Sequence, residues 1–338
     1  MSDGDDGAGS NAVSGAGGVS GGVSASNSGG ATENRVGKPC AICPICPHAC
    51  RLQDGQAGFC RARLAKDGRV QPLAFGRVTA LALDPIEKKP LAHFLPGSAI
   101  LSVGGFGCNL RCPFCQNADI SQWGASAGSE SLTLEVASGS KAAQKAMAKA
   151  ANLRQLLPED LVAEAVRLRP RGNVGIAYTY NEPLIAYEYF QQSAHLAHQA
   201  GLANVVVSNG YLSQEPLREL LGLIDAANID LKVFSQSAYT LLGAPQGLER
   251  VKENIELLSA HCHLEVTTLI VPGLNNDEEQ IAAIAAWLAS IRRDIPLHIT
   301  RFHPAFQMTS TPPPLRQDIY RYVKIASMWL EHVQAGNV

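Results

Sequence analysis

Short apolar runs alternate with longer amphipathic segments along the chain from residue 99 onward. A short apolar run predicts a buried strand, whereas apolar residues spaced three or four apart predict a helix packed on one face. The predicted strands are 99–104, 174–178, 203–208, 229–234, 264–271 and 297–302, and the helices between them include 159–168, 184–200, 248–260 and 277–292. Strands that alternate with helices are typical of a parallel sheet. Six such units predict an α/β fold, a partial and open (β/α)6 TIM-like barrel over residues 99–310.

Outside the barrel pattern, the composition changes from segment to segment. Residues 1–34 are almost wholly Gly, Ser, Ala and Asn, which bury too little apolar surface to fold, so a disordered tail is expected. A small cysteine-rich module follows at 35–68, and connecting strands at 69–98 lead into the barrel. An insertion at 124–155, rich in Ala, Ser, Gly and Lys, is expected to be mobile or to form a lid over the site. A C-terminal helix is expected at 311–338.

Bulk composition narrows the classes of function. The chain has 338 residues, of which 46% are hydrophobic, and this is enough for a sizeable core. A net charge of -2 gives no electrostatic footprint for nucleic acid, and no apolar run is long enough to cross a membrane. The first residues have neither the basic start nor the apolar middle of a signal peptide. A cytoplasmic protein without nucleic-acid or membrane partners is therefore expected.

The cysteines are clustered rather than spread along the chain. Eight of the nine lie between Cys40 and Cys115, at short spacings that suit metal binding better than a disulfide framework. Such a pattern belongs in a reducing compartment. The cysteine usage therefore supports the cytoplasmic expectation and predicts metal sites.

The most informative spacing is C-x3-C-x2-C at Cys108, Cys112 and Cys115. Three thiols on one helical face would be an alternative, but Pro113 disfavours a helix interior. A zinc site would need a fourth ligand nearby, and none follows. A cubic iron–sulfur cluster takes one thiolate per iron, so three cysteines leave one iron open for a substrate or cofactor. The loop resembles the signature of radical S-adenosylmethionine (SAM) enzymes, whose open iron is chelated by SAM.

Polar or turn-forming residues follow each predicted strand, and parallel barrels carry their active sites at these carboxyl ends. After the cysteine loop come, in order, the strand ends at 179–183, 208–210, 230–232, 271–273 and 301–304. Each segment alone is weak evidence, because Asn-Gly and Pro-Gly are ordinary turns. Their coincidence at six strand ends predicts one shared site.

Charged residues at these ends suit the methionine part of SAM. Asp230 and Lys232 would share one strand face, where Lys232 would neutralise the SAM carboxylate and Asp230 would orient it. A simple interior ion pair is the alternative. Glu182, with the backbone carbonyls of the two residues before it, would bind the SAM ammonium group, or it would be a solvated loop carboxylate. His303 would contact the ribose or the carboxylate, or would be a structural histidine before a proline.

Four segments carry a family resemblance. They are Cys43-Pro44-Ile45-Cys46-Pro47-His48-Ala49-Cys50 with Cys60, Asp84-Pro85-Ile86-Glu87-Lys88-Lys89-Pro90-Leu91, the three-cysteine loop, and Thr179-Tyr180-Asn181-Glu182-Pro183. Over about residues 40–329 the chain resembles the radical SAM member of the AmmeMemoRadiSam system, a close relative of the pyruvate formate-lyase activating enzymes. The resemblance implies a partial barrel of the radical SAM type, in which Cys108, Cys112 and Cys115 ligate a [4Fe-4S] cluster.

The resemblance also implies cofactor-binding residues. Phe114 would lie against the adenine, and Tyr180-Asn181-Glu182 stand where the activating enzymes carry Gly-Gly-Glu. Val207 replaces an aspartate that helps those relatives to bind a monovalent cation, so that cation site is not carried over. The cofactor-binding residues expected are Phe114, Tyr180, Asn181, Glu182, Ser208, Asn209, Asp230, Lys232 and His303.

The cysteine-rich module carries a second metal pattern. Cys43, Cys46, Cys50 and Cys60 have the spacing C-x2-C-x3-C-x9-C, and four thiols in tetrahedral arrangement suit zinc or an iron–sulfur cluster. Structural zinc is the favoured expectation, and a second, electron-relaying cluster is the alternative. Cys40 is a fifth candidate ligand. Reduced thiols without metal remain the simplest other interpretation.

The function expected from these patterns is that of a radical SAM enzyme. It would cleave SAM reductively at the [4Fe-4S] cluster to a 5′-deoxyadenosyl radical, which would abstract hydrogen from an unidentified protein or small molecule. A reductant such as flavodoxin or ferredoxin would supply the electron. A glycyl-radical-enzyme activating enzyme is an alternative, which the AmmeMemoRadiSam resemblance disfavours. A non-catalytic iron–sulfur electron carrier or assembly protein is the alternative from another class.

Overall fold

An eight-stranded sheet forms the centre of the computed structural model, which describes residues 40–123 and 153–338. The strands of the described chain are β1 (Ala41–Ile42), β2 (Arg51–Leu52), β3 (Arg63–Lys66), β4 (Arg69–Pro72), β5 (Arg77–Val78), β6 (Ala80–Pro85), β7 (Ala99–Gly104), β8 (Arg154–Gln155), β9 (Asn173–Tyr178), β10 (Ala203–Ser208), β11 (Ala226–Asp230), β12 (His263–Ile270), β13 (Leu297–Arg301) and β14 (Val333–Gly336). In the central sheet they lie in the order β14-β13-β12-β11-β10-β9-β7-β6.

The pairing in this sheet is parallel from β7 to β14, and β6 pairs antiparallel with β7 at one edge. Within the described residues the edge strands β6 and β14 do not pair with each other, so the sheet stays open. The predicted open (β/α)6 barrel is confirmed, and its six predicted strands correspond to β7 and to β9 through β13.

Amphipathic helices cover the sheet. The helices of the described chain are α1 (Ala118–Ser121), α2 (Pro158–Arg167), α3 (Tyr187–Gln199), α4 (Gln214–Leu220), α5 (Gln236–Leu241), α6 (Gly247–Ser259), α7 (Glu278–Ile291) and α8 (Arg316–Ala326). Asp277 begins α7 as its N-cap, because its side chain accepts a hydrogen bond from the backbone N–H of Gln280 at 2.8 Å. The buried face of α7 follows the helical period at Ile281, Ile284, Ala285 and Leu288.

Two elements differ from the sequence prediction. The strand predicted at 229–234 ends at Asp230, because the Leu231 N–H turns back to the Ile229 carbonyl at 3.1 Å. The helix expected at 311–338 was wrong in extent, since α8 ends at Ala326 and β14 follows. This last strand supplies backbone partners for β13, whose edge would otherwise leave polar backbone groups unpaired.

The buried carboxylate of Glu265, on β12, joins three segments near the amino ends of the strands. Its Oε1 accepts hydrogen bonds from the His93 N–H at 2.8 Å and from His263 Nε2 at 2.9 Å. Its Oε2 accepts from the Ala92 N–H at 3.0 Å and from His298 Nε2 at 2.6 Å. Burial alone would raise the pKa of Glu265, but these hydrogen bonds outweigh burial and lower it to about 2.

A buried ion pair attaches the cysteine-rich module to the barrel. Arg63, on β3, is 2% exposed and donates to Glu188 of α3 through two hydrogen bonds of 2.6 and 2.7 Å. A third hydrogen bond, at 3.0 Å, goes to the Ile185 carbonyl. The bidentate geometry fixes the orientation of the module as well as its position.

Some sequence predictions fall outside the described residues. The tail predicted at 1–34 and residues 124–152 of the predicted insertion lie there, so both remain predictions. Among the helices that the structure describes, none is long and apolar enough to cross a membrane.

Candidate active site

The three-cysteine loop begins directly after β7, at the carboxyl end of the sheet. Residues 108–115 form a loop with turns and no helix, so the alternative of a thiol-bearing helix face is wrong. Gly107 makes the turn possible in two ways. Its φ of +84° lies in the left-handed region, and a Cβ atom there would come within 2.3 Å of the Cys60 carbonyl oxygen. The loop therefore lies in direct contact with the cysteine-rich module.

The thiols of this loop are held in a buried, polar setting. Burial, and then the charge of Glu182, raises the pKa of the Cys108 thiol well above its usual range, and burial raises that of Cys112 to about 12. The Cys108 sulfur accepts hydrogen bonds from the Leu110 N–H at 3.4 Å and from Asn209 Nδ2 at 3.5 Å. The Cys115 sulfur lies 3.0 Å from Ser121 Oγ. Cysteine binds a metal as its thiolate, so metal binding at this loop would release protons.

The donor set suits a cluster better than a single ion. Among residues 40–123 and 153–338, no three His, Cys, Asp or Glu side chains are gathered around a point where they could hold one metal ion. In an iron–sulfur cube each thiolate binds a different iron, so its cysteines need not converge on one point. Three thiols in one loop, with N–H groups directed at a sulfur, therefore fit a [4Fe-4S] cluster.

Glu182 joins the ends of β9 and β10. It is 1% exposed, and its carboxylate accepts hydrogen bonds from the Leu184 N–H at 3.2 Å, from Ser208 Oγ at 2.9 Å and from the Asn209 N–H at 2.8 Å. Burial raises the pKa of Glu182 to about 7, against the hydrogen bonds that lower it. The alternative of a solvated loop carboxylate is wrong, because three donors of the chain already surround the group.

Asp230 and Lys232 form an ion pair at the end of β11. Lys232 Nζ lies 3.0 Å from Asp230 Oδ2, although the strand has already ended at Asp230. Burial disfavours the ammonium charge, but the Asp230 carboxylate outweighs burial and raises the pKa of Lys232. The charge of Lys232 also acts on Cys112 and on Glu182. Residues from three strand ends therefore meet at the cysteine loop.

Tyr180 and Asn181 connect the end of β9 to the cysteine loop. The Tyr180 carbonyl accepts a hydrogen bond from Asn117 Nδ2 at 2.7 Å, so this predicted acceptor for SAM already has one partner. Tyr180 has a φ of +73°, in the left-handed region that residues with a side chain seldom adopt. Asn181 accepts from the Gly105 N–H at 3.1 Å and donates to the Gly107 carbonyl at 3.0 Å.

Two other predicted contacts lie differently in the fold. Phe114 follows the second cysteine of the loop and is 4% exposed, packed within the main hydrophobic core. His303, after β13, has an exposed side chain and forms no hydrogen bond to any residue that the structure describes. The structure therefore brings Glu182, Ser208, Asn209 and the Asp230–Lys232 pair to the cysteine loop. The segment after β13 also reaches the loop, since the Gln307 N–H donates to the Pro113 carbonyl at 3.0 Å, and the contact expected between His303 and SAM remains a prediction.

Sequence reasoning missed two residues inside the loop itself. Asn109 is fully buried, and its side chain accepts from Asn209 Nδ2 at 2.8 Å and donates to the Tyr211 carbonyl at 2.7 Å. Arg111 is also largely buried, against Phe59. Their only sequence signal is a polar residue between two cysteines, and this pattern does not identify a partner.

The four cysteines of the module lie close together, but zinc is not supported. Cys43, Cys46 and Cys60 are at most 7% exposed, and Cys50 is half-buried. A tetrahedral zinc site would place all four sulfurs about 2.3 Å from one point. The described residues contain no such group, so the favoured zinc expectation receives no support.

Comparison with known proteins gives a match to one family and likenesses to several proteins. Residues 102–288 match the Radical SAM superfamily. The chain is 34% identical over 299 residues to the uncharacterized protein MJ0808 of Methanocaldococcus jannaschii, covering 88% of this chain and 81% of that protein. It is 21% identical over 202 residues to the pyruvate formate-lyase-activating enzyme of Clostridium pasteurianum, covering 58% of this chain and 72% of the enzyme. A solved domain of the pyruvate-formate lyase-activating enzyme from Bacteroides vulgatus ATCC 8482 aligns with a TM-score of 0.43 and 21% identity, covering 48% of this chain and 99% of the domain.

Proposed function

The chain belongs to the radical SAM superfamily, and from this premise we propose that it cleaves S-adenosylmethionine reductively at a [4Fe-4S] cluster held by Cys108, Cys112 and Cys115. The observation that supports this most is the convergence of three strand ends on the cysteine loop. Glu182 acts electrostatically on Cys108, and Lys232 acts on Cys112. Active sites of parallel barrels lie at this end of the sheet.

The residues around the loop have separate tasks in this proposal. Cys108, Cys112 and Cys115 would hold the cluster, which would supply one-electron reduction of the SAM sulfonium and so a 5′-deoxyadenosyl radical able to abstract a hydrogen atom from the substrate. Lys232 pairs with the carboxylate of SAM, and Asp230 keeps the ammonium charge in place at 3.0 Å. Glu182 still has lone-pair capacity beside its three donors and accepts from the SAM amino group. The buried setting of Phe114 excludes water from the adenine side of the loop.

Within the superfamily, we place the chain with the radical SAM member of the AmmeMemoRadiSam system, acting on an unidentified protein or small molecule. Support comes from the module cysteines, from the segment 84–91 and from the strand end 179–183, which together carry that resemblance. A low-potential donor such as flavodoxin or ferredoxin supplies the electron. All nine cysteines are free thiols, which suits the cytoplasm proposed as its compartment.

A glycyl-radical-enzyme activating activity is the second candidate. The 21% identity to the Clostridium pasteurianum enzyme favours it. The side chains of Tyr180 and Asn181 argue the other way. Where those enzymes carry two glycines, these side chains bind Asp84 and the cysteine loop, so the region differs in more than sequence.

The experiment that tests the proposed function is SAM cleavage by the reconstituted protein. Anaerobically reconstituted protein with dithionite and SAM is expected to yield 5′-deoxyadenosine and methionine, measured by chromatography with mass spectrometry. Cys112→Ala should abolish the product, whereas the matched control Cys262→Ala, at a cysteine outside both cysteine sets, should retain it. If SAM leaves the electron paramagnetic resonance (EPR) spectrum of the reduced cluster unchanged, the electron-carrier alternative is correct instead.

A further inference from the structure

A partly buried cation, Arg111, lies where the cysteine loop meets the cysteine-rich module. Arg111 Nη1 donates to the carbonyls of Cys108 and Leu110, both at 2.8 Å, and Nη2 donates to the Phe59 carbonyl. The guanidinium stacks 3.9 Å from the centroid of the Phe59 ring. Arg111 has no carboxylate partner among the residues that the structure describes, and its buried Nε has no hydrogen-bond partner there. A buried charge without a counter-charge is costly.

The groups that could carry the counter-charge are cysteines on both sides of Arg111. Its charge acts on Cys108 and Cys112 of the loop and on Cys60 and Cys50 of the module. As neutral thiols these groups do not compensate a cation. As thiolates bound to metal they do, and the buried guanidinium then lies between two anionic sites.

The fold brings the four module cysteines together from separate turns. The Cys43 N–H donates to the Cys50 carbonyl at 3.0 Å across the β1–β2 hairpin. In the hairpin loop, the backbone carbonyl of Cys46 accepts a hydrogen bond from the Ala49 N–H at 3.0 Å. Cys60 enters from the next turn, next to Phe59, whose N–H lies 3.4 Å from the Cys50 sulfur. Each of the other three thiols acts electrostatically on Cys46. The set is therefore one site, closed on the side of the loop by Phe59 and Arg111.

The arrangement favours a cube over one metal ion. Zinc requires four sulfurs at about 2.3 Å from a single centre, and the described residues hold no such group. A [4Fe-4S] cluster takes one thiolate at each iron, which matches four cysteines that are neighbours without sharing a centre. All four are free thiols, so no disulfide explains their proximity.

We propose that Cys43, Cys46, Cys50 and Cys60 bind a second [4Fe-4S] cluster and that Arg111 holds it beside the cysteine loop as the entry point for electrons. A low-potential one-electron donor loses one electron to the module, and the same electron passes on to the Cys108–Cys115 site, where the sulfonium of SAM is reduced by one electron. The path for the electron from the module to the loop contains few bonds. It runs from Cys60 to the adjacent Phe59 carbonyl, across the hydrogen bond to Arg111, and along the chain to Cys112. The relay role rests on the proposed function, whereas the presence of the cluster does not.

Metal and sulfide analysis tests the site. Wild-type protein reconstituted anaerobically with iron, sulfide and equimolar zinc is expected to hold about eight iron and eight sulfide per chain, as two [4Fe-4S] clusters require. The variant with Cys108→Ala, Cys112→Ala and Cys115→Ala should keep about four iron. Its dithionite-reduced EPR signal should not respond to SAM. The matched control Cys262→Ser should hold about eight iron.

The outcomes separate this proposal from the proposed function. About four iron and one zinc in wild type overturns the second cluster, and so does a folded loop variant without iron. If a loop variant fails to fold, the wild-type metal count and the spin count of its reduced EPR signal decide alone. Two clusters in wild type without SAM cleavage would refute the proposed function and leave the second cluster standing.

Arg111 gives a test of position. Arg111→Gln removes the shared cation, so the midpoint potentials of both clusters should shift downward in EPR-monitored titrations. The control Arg61→Gln removes an arginine that donates instead to the carbonyls of Gln122 and Trp123, and it should leave the potentials closer to wild type. A shift confined to one signal would overturn the placement of Arg111 between two clusters.

Discussion

Asn181 and Glu182 are neighbours in sequence, but their side chains bind different segments. Asn181 binds the backbone of the cysteine loop at Gly105 and Gly107, and Glu182 binds Ser208 and the backbone of Asn209. Together they hold the ends of β7, β9 and β10 in a fixed relation. The site is therefore positioned by two adjacent polar residues rather than by the strands alone.

Asn181→Asp tests this connection at the level of one atom. The variant keeps the acceptor for the Gly105 N–H but places a carboxylate oxygen against the Gly107 and Glu182 carbonyls, to which Asn181 Nδ2 donates at 3.0 and 3.1 Å. We expect the free energy that keeps the loop in its cluster-binding conformation to fall by about 1–2 kcal/mol. Iron should then be lost to a chelator roughly five to thirty times faster than from the wild type. The rate is measured by the decay of cluster absorbance. An unchanged rate would show that Asn181 does not position the loop.

The cysteine spacings were readable from sequence, but the side-chain contacts of the site were not. Asn109 and Asn209 are separated by 100 positions, and their hydrogen bond exists only because of the register between β7, β9 and β10. The Asn209 side chain binds Asn109 and Cys108 in the structure. Its expected role in binding SAM remains a prediction. The expected contact between His303 and SAM also remains a prediction, because a strand end predicts a position along the sheet and not the direction of a side chain.

Among elements, the cysteine loop and the module approach each other closely at Gly107. Gly107→Ala would place a methyl group 2.3 Å from the Cys60 carbonyl, in addition to the strain of φ +84°. Gly273→Ala is the matched control, because its φ is +77° and nothing lies within 4 Å of its Cβ position. The control should lose about 1–2 kcal/mol of unfolding free energy. Gly107→Ala should lose about 1–3 kcal/mol more.

Urea unfolding measures both losses, and iron content measures the state of the sites. Gly107→Ala should also retain less iron than Gly273→Ala, because the loop and the module are pushed apart. If the two variants lose the same unfolding free energy, the backbone around Cys60 moves away from the added methyl group without destabilising the protein.

Glu265 predicts how the barrel responds to acid. Its pKa is about 2 in the folded protein against an ordinary 4.5, so the unfolded chain binds more protons between these values. The resulting stability, roughly 3 kcal/mol, is present above pH 4.5 and is lost as the pH falls toward 2. Glu265→Gln should lower the unfolding free energy at pH 7 and flatten its fall in acid, measured by urea unfolding from pH 7 to 2.5.

Two other carboxyl groups shape the same pH profile. Burial alone would raise the pKa of Asp84, but hydrogen bonds from Lys89 and Tyr180 outweigh burial and lower it to about 2. The Glu265→Gln variant should therefore still lose some unfolding free energy as the pH falls. Glu182 acts in the opposite direction, since its raised pKa makes its contribution fall as the pH rises from 4.5 to about 7. A variant profile parallel to that of the wild type would contradict the role of Glu265.

The order of strands and helices was predictable because periodicity reports which faces are buried. All six barrel strands were placed within a few residues, since each is a short, predominantly apolar segment. The ends were less certain, as the early stop of β11 at Asp230 shows. The final strand β14 has weak apolar character, and its formation depends on the free edge of β13, which no local pattern reports.

At the scale of the whole molecule, the Arg63–Glu188 pair helps to hold the module on the barrel, together with the contacts at Gly107 and Arg111. Among the described residues, Glu188→Ala leaves the buried Arg63 guanidinium with the Ile185 carbonyl as its remaining hydrogen-bond acceptor. Because the Glu188 side chain is one-third exposed, the expected loss is that of a charged hydrogen bond, about 1.5–3 kcal/mol. We expect faster proteolysis and hydrogen exchange in the module, with the barrel little changed. Exchange resolved by mass spectrometry measures both regions.

The control for this prediction is an ion pair of the same type on the surface. Glu164→Ala removes the partner of the exposed Arg167, and a solvent-exposed pair of this kind contributes little to stability because water screens it. Similar exchange in the module for both variants would show that Arg63 does not anchor it.

The lack of room for a side chain at Gly107 also limits which segments of this protein can be exchanged with those of another protein. The Cys60 carbonyl fills the position that any other side chain would need, so the module and the loop are interlocking parts. A chimera that grafts residues 40–62 onto another barrel should work only when the recipient has glycine at the matching position. The two cysteine segments therefore have to be transplanted as a pair.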